Sequence, residues 1–123
     1  MTSDGLAVIL FAHGSRDPLW SRPMEAVAAQ MEALQPDTPV CCAYLELMAP
    51  DLSVAAQSFI DGGARRIRVI PMFLGVGKHA RQDLPELVQS LMERHPQVRF
   101  ELEPAIGEHP EVVALLARIA LGH

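Results

Sequence analysis

Three side chains that could bind a metal ion or move a proton follow three buried strands that the sequence predicts. They are His13, Glu46 and His79. Imidazole is a common ligand of divalent first-row metals, and it also titrates near neutral pH. The carboxyl ends of parallel strands meet at one edge of a sheet, so these groups could come together there. The residues alone leave open a structural role, in which His13 hydrogen-bonds within a turn and His79 caps a helix.

Three cations, Arg16, Lys78 and Arg81, lie in the same segments as the two histidines, although the chain as a whole has a net charge of −5. Guanidinium and ammonium groups bind carboxylates well, so a ligand with several carboxylates would use them. The alternative is that Arg16 pairs with Asp17 or Glu46 while the other two cations remain solvated. Both interpretations stay open at this point.

Glycines in these segments could let a ligand approach the backbone closely. Gly75 is the candidate for ligand binding, and Gly14 and Gly77 are similarly placed. Neither GxGxxG nor GxxxxGK[ST] occurs, so dinucleotide-binding and P-loop functions lack their motifs.

The adjacent cysteines, Cys41 and Cys42, would point to opposite faces of a strand, and we assign them no role.

The pattern of apolar residues predicts four repeats of a strand followed by a helix. Short apolar runs indicate strands, and apolar positions spaced at three and four residues indicate helices. Pro71 predicts a bulge or an end in the third strand because proline cannot donate to a ladder. The predicted strands are 6–12, 40–45, 67–73 and 98–103, and the predicted helices are 23–34, 52–60, 84–92 and 110–119.

Strict alternation predicts one doubly wound α/β domain over residues 1–123, with a four-stranded parallel sheet and helices on both faces. A chain of 123 residues, 50% hydrophobic and 20% charged, is expected to bury its own core. The acidic balance argues against a nucleic-acid partner. No apolar run reaches the length of a membrane span, and the opening MTSDG lacks the basic start of a secretory signal, so we expect a cytoplasmic protein.

Three segments resemble one known family in order and spacing. They are AHGSRDP from Ala12, YLELMAPDL from Tyr44, and PMFLGVGKHARQDLP from Pro71. They are similar to the HGSR, FLE and P-x-F-L-x-x-G-x-H-x-x-x-D-x-P blocks of the small CbiX/SirB-type chelatases. These relatives of the anaerobic cobalt chelatases and of ferrochelatase insert a divalent metal into sirohydrochlorin. The resemblance runs nearly end to end, with Tyr44 where phenylalanine is common and Lys78 where a small or apolar residue is common.

The resemblance implies that His13 and His79 bind the metal and act in catalysis, and that Glu46 is the acidic catalytic residue. Co²⁺ is the first candidate metal, with Fe²⁺ or Ni²⁺ as alternatives, and each would be a substrate rather than a permanent cofactor. The tetrapyrrole would be the partner, with its carboxylates near Arg16, Lys78 and Arg81 and its plane near Gly75. Longer relatives have two such domains, so a homodimer is expected.

Two other functions use the same residues. A non-catalytic carrier would bind a metal or tetrapyrrole through the histidines and deliver it without turnover. A histidine phosphatase would use His13 as its nucleophile, but the arginine usual before that histidine is Ala12 here. Turnover separates the chelatase from the carrier.

Overall fold

A parallel sheet of four strands forms the centre of the computed structural model, which describes residues 5–123. The strands run in the order β2-β1-β3-β4, so the first strand is internal. Leu10 pairs with Cys42 on one side and with Ile70 on the other. This arrangement confirms the predicted α/β fold class. The strands are β1 (Leu6–Ala12), β2 (Val40–Tyr44), β3 (Arg66–Pro71) and β4 (Arg99–Leu102).

Helices lie on both faces of the sheet, as the alternation predicts. The helices are α1 (Arg22–Leu34), α2 (Leu52–Asp61), α3 (Lys78–Arg94) and α4 (Pro110–Ala120), with short 3-10 turns at Pro18–Ser21 and Ile106–Glu108. Helices α2 and α3 share one apolar core with the sheet. Helix α1 packs on the opposite face, over β1 and β2. None of the helices within residues 5–123 is both long enough and apolar enough to cross a bilayer.

Most of the core lies between the sheet and the α2/α3 layer. Side chains alternate between the faces of a strand, so Ile9 and Phe11 point to the same side. There they meet Ile67 and Val69 of β3 and Leu91 of α3, all buried. The tight packing of this layer fixes the strand ends, and therefore the loops that follow them.

Most predicted boundaries lie within one residue of the structure, but three differ by more, and one of these is the end of α3, which lies at Arg94 instead of residue 92. Strand β3 ends at Pro71 instead of Phe73, which confirms the predicted effect of proline on this strand. Helix α3 begins at Lys78, six residues before the first predicted helical position, and it continues through Pro85. The predicted start was the first large apolar residue of the spaced set, Leu84, and it was wrong because residues 78–83 are helical although they carry no large apolar side chain.

Candidate active site

The loops after β1 and β2 are joined by their backbones at the carboxyl edge of the sheet. The Leu45 N–H donates to the Ala12 carbonyl at 2.9 Å, and the Glu46 N–H donates to the His13 carbonyl at 3.0 Å. These bonds extend the pairing of the two strands by two residues. The structure therefore brings His13 and Glu46 side by side, with both side chains exposed.

Gly14 makes this junction possible. Its φ of +95° lies in the region that favours glycine. A Cβ at this position would overlap the carbonyl oxygen of Glu46 and would lie 3.1 Å from the carbonyl carbon. Any other residue at position 14 would push the two loops apart.

Phe73, in the loop after β3, supports the imidazole of His13. The two ring centroids are 4.9 Å apart and the planes are tilted by 49°. Phe73 is itself buried, and its ring packs edge-on against Phe11 at 6.4 Å. The carbonyl of Phe73 accepts a hydrogen bond from the Gly107 N–H at 2.9 Å. Sequence reasoning missed this role, although Phe73 lies within one of the segments that carry the resemblance.

His79 lies in the first turn of α3, not in a loop as the sequence predicted. Gly77 occupies the N-cap with no side-chain hydrogen bond, and the first turn contains no acidic residue. Lys78 and Arg81 belong to the same turn and are exposed, and Gly75 lies in the exposed loop before it. Two cations therefore add to the positive potential at this helix end, which favours negatively charged groups.

The described residues of one chain do not contain a preformed metal-binding site. Within residues 5–123, no three His, Cys, Asp or Glu side chains lie close enough together to hold an ion. His13, Glu46 and His79 therefore do not form a three-ligand group in one chain.

Exposed apolar side chains surround the same edge, and this feature was not predicted either. Leu47 follows Glu46 with a φ of +67° and is 55% exposed, and Leu74 follows Phe73 and is 70% exposed. Leu19 and Trp20, in the 3-10 turn after β1, are also exposed. Apolar groups from three loops offer contact area to a flat, partly apolar molecule.

Arg16 lies in the loop after β1, three residues beyond His13, and its side chain is exposed. Asp17 caps the 3-10 turn that follows, since its Oδ1 accepts from the Leu19 N–H at 2.9 Å.

The two cysteines of β2 are free and half-buried. Burial, with a smaller contribution from Cys42, raises the pKa of the Cys41 thiol to about 11, so that thiol stays protonated at neutral pH.

Comparison with known proteins identifies the family. The CbiX family model matches residues 7–120. A sirohydrochlorin ferrochelatase of Priestia megaterium is 31% identical over 115 residues, which cover 89% of this chain and 41% of that protein. A sirohydrochlorin cobaltochelatase of Methanopyrus kandleri is 31% identical over 83 residues, or 68% of this chain and 58% of that protein. The chain thus spans about two fifths of the length of the ferrochelatase.

Solved structures show the same fold. The CbiX protein of Marinobacter aquaeolei VT8 superposes with a TM-score of 0.83 at 28% identity, over 95% of each chain. The sirohydrochlorin chelatase SirB of Bacillus subtilis subspecies spizizenii, in complex with cobalt, superposes with a TM-score of 0.77 at 27% identity, over 98% of this chain and 50% of that one. From the family model and these likenesses, the chain belongs to the CbiX family.

Proposed function

We propose that this chain is a sirohydrochlorin metal chelatase, which inserts a divalent ion into the macrocycle. Co²⁺ is the first candidate, and Fe²⁺ or Ni²⁺ would also suit imidazole ligands. Membership of the CbiX family supports the proposal. The structural observation that carries it is the hydrogen-bonded junction of His13 and Glu46, at the same sheet edge as the α3 turn that holds His79.

Metal insertion requires two chemical steps, and we assign residues to each of them. The hydrated ion must shed water, and two pyrrole N–H protons must leave the ring. His13 and His79, as neutral imidazoles, replace water on the ion and pass it to the ring nitrogens. Glu46, or one of the imidazoles, accepts pyrrole protons as a general base.

The ring would be held by charge at its rim and by apolar contact across its plane. Arg16, Lys78 and Arg81 would bind its carboxylates, because guanidinium and ammonium groups pair with them. The absence of acidic residues in the first turn of α3 supports this assignment. Gly75 offers exposed backbone without a side chain, and Leu74 beside it offers apolar surface.

The metal is consumed as a substrate, and we assign no permanent cofactor. Residues 1–123 form a single chelatase-like domain that works as a homodimer in the cytoplasm, in cobalamin or sirohaem biosynthesis. The homodimer is proposed because one domain of this size would cover only part of a tetrapyrrole.

The test is the visible spectrum of sirohydrochlorin mixed with Co²⁺, recorded over time with and without catalytic amounts of the protein. We expect the free-base bands to disappear faster with protein, over many turnovers per chain. Repeating the measurement with Fe²⁺ and Ni²⁺ would rank the metals. A spectral shift that saturates at a fixed ring-to-protein ratio, with no faster insertion, would refute the chelatase and would indicate a carrier.

A further inference from the structure

Three arginines surround one glutamate where β3 and β4 pair. In the pairing of these strands, Arg66 lies opposite Arg99, and Arg68 lies opposite Glu101. Arg66 Nη2 is 3.3 Å from both carboxylate oxygens of Glu101, and Arg99 Nε is 3.2 Å from Oε2. The four side chains carry three positive charges and one negative charge, although the chain as a whole has a net charge of −5. This part of the sheet therefore has an excess of positive charge.

Arg68 has the weakest contact with that glutamate. Its Nε lies 3.5 Å from Glu101 Oε1, farther than the nitrogen atoms of Arg66 and Arg99 lie from the same carboxylate. Among residues 5–123 this Nε has no hydrogen-bond acceptor, although the atom is buried. Three guanidinium groups bring about fifteen N–H donors to the roughly four acceptor positions of one carboxylate. Arg68 therefore has N–H donors that Glu101 does not satisfy.

A cavity of about 200 Å³ lies between Arg68 and the C-terminal end of α1. Gln35 and Thr38 contribute polar groups to its lining, and no carboxylate from the described residues lines it. Thr38 is only 7% exposed, and its Oγ1 accepts a hydrogen bond from Gln35 Nε2. The hydroxyl proton of Thr38 and the second amide proton of Gln35 are therefore left for other acceptors. One water molecule takes up about 30 Å³, so the cavity has room for a small polyatomic ion.

We propose that this cavity binds a small oxyanion of the phosphate class, with Arg68, Gln35 and Thr38 as the donors. A planar guanidinium group matches two oxygens of a phosphate, and the amide and hydroxyl donors supply hydrogen bonds to the others. Met31 and Leu34 complete the lining with apolar groups. An anion there would accept hydrogen bonds from donors that the protein brings together without an acceptor of its own.

Two features oppose an anion at this position, and the arginines outweigh both. The cavity lies at the C-terminal end of α1, where the helix dipole is equivalent to about half a negative charge. Part of this charge is already neutralised, because the Met31 carbonyl accepts from the Gln35 N–H at 2.9 Å and the Gln35 carbonyl accepts from the Thr38 N–H at 3.0 Å. Glu101 adds one negative charge. Three guanidinium charges against these two contributions leave a potential that attracts anions.

The oxyanion site is separate from the candidate active site. Arg68 pairs with Val8 of β1, which lies four residues before Ala12 at the end of that strand. At about 3.3 Å per residue, the two positions are roughly 13 Å apart along the sheet. Binding of an oxyanion at Arg68 therefore does not depend on whether the chain inserts metal into a ring.

A titration of the full chain with inorganic phosphate, followed by ³¹P NMR at constant ionic strength, tests this inference. We expect saturable binding with a dissociation constant on the order of 1 mM or lower. Arg68→Gln removes the guanidinium group and should weaken binding by about 10-fold or more. Thr38→Val keeps the shape of the side chain but removes the hydroxyl donor, and should weaken binding by about 5-fold.

The matched control is Arg94→Gln, which makes the same change of charge near the end of α3, on the other face of the sheet. This variant should bind phosphate as the wild type does. Sulfate, a second tetrahedral oxyanion, should compete with phosphate, whereas chloride at equal ionic strength should not. Circular dichroism checks that each variant folds, and Thr38→Val tests the site independently if Arg68→Gln does not fold.

Three results would overturn the inference. The first is a wild-type protein that shows no saturable phosphate binding. The second is equal binding by Arg68→Gln and the wild type, which would place the ion elsewhere. The third is unchanged binding by Thr38→Val, which would indicate a diffuse attraction of anions to the arginines without a defined site in the cavity.

Discussion

Gly14 holds the loop after β1 against the loop after β2, and Gly14→Ala tests the geometry of the candidate site. The substitution adds one methyl group where the backbone has a φ of +95° and where a Cβ would overlap the Glu46 carbonyl oxygen. One of the two loops has to move by roughly 1 Å or more to restore ordinary contact. That movement lengthens the hydrogen bonds that join Leu45 to Ala12 and Glu46 to His13, which are 2.9 and 3.0 Å long.

The expected cost of Gly14→Ala follows from these contacts. A non-glycine residue in the left-handed region loses about 1–2 kcal/mol. Each of the two backbone hydrogen bonds contributes about 1 kcal/mol. We therefore expect the free energy of unfolding to fall by about 3 kcal/mol, a large share of a typical total of about 5–15 kcal/mol. Displacing Glu46 and His13 by about 1 Å should also slow metal insertion by about 100-fold.

Urea unfolding and the sirohydrochlorin assay measure the two effects on the same samples. The matched control is Gly62→Ala at the end of α2, where φ is −83° and a Cβ would lie 3.5 Å from the nearest carbonyl oxygen. This control should keep its unfolding free energy within about 1 kcal/mol of wild type, with full activity. If Gly14→Ala matches the wild type in both measurements, the junction of the two loops does not position the site and the reasoning fails.

Three further predictions address other parts of the structure. Phe73→Leu keeps an apolar core contact but removes the ring beside the imidazole, so we expect kcat for chelation to fall by about 10-fold and unfolding free energy by about 1–2 kcal/mol. Equal kcat values would contradict a positioning role. Arg81→Ala should raise KM for sirohydrochlorin by about 10-fold with kcat unchanged, measured by steady-state kinetics. Glu101 accepts a hydrogen bond from Arg66, and this bond holds the pKa of Glu101 below its usual value of about 4.3. The ionised Glu101 therefore stabilises the fold above about pH 4.3, and this stabilisation is lost as the pH falls through the pKa of the folded state. Glu101→Gln should therefore unfold at lower urea than wild type at pH 7, and the difference should shrink at pH 3.

The sequence was sufficient to predict the elements but not all of their limits. Apolar runs and three-to-four spacing identified the four strands and helices that the structure contains. The start of α3 was missed because residues 78–83 carry no large apolar side chain and so show no helical spacing, whereas the helix forms from Lys78 onward. Likewise, the spacing predicted the helix at α4 but could not show that its apolar side stays exposed, since burial depends on which residues the neighbouring sheet presents.

The residues of the candidate site could be predicted from the sequence, but not all of the contacts between them. Strand ends pointed to His13 and Glu46, because parallel strands meet at one edge. The contact of His13 with Phe73 depends on how two loops some sixty residues apart are folded together, and no local pattern encodes that. The bond between Glu46 and His13 also joins distant loops, and Gly14 gave no sign of its conformation, since isolated glycines occur in many turns.

The central claim is that His13 and His79 act together on one metal ion. The most direct test measures chelation rates for His13→Ala, His79→Ala and the double variant under identical conditions, with folding checked by circular dichroism. Residues that act as a unit are not additive, so we predict that each single variant loses nearly as much activity as the double variant. Near-full activity in either single variant, or losses that simply multiply in the double variant, would contradict the claim.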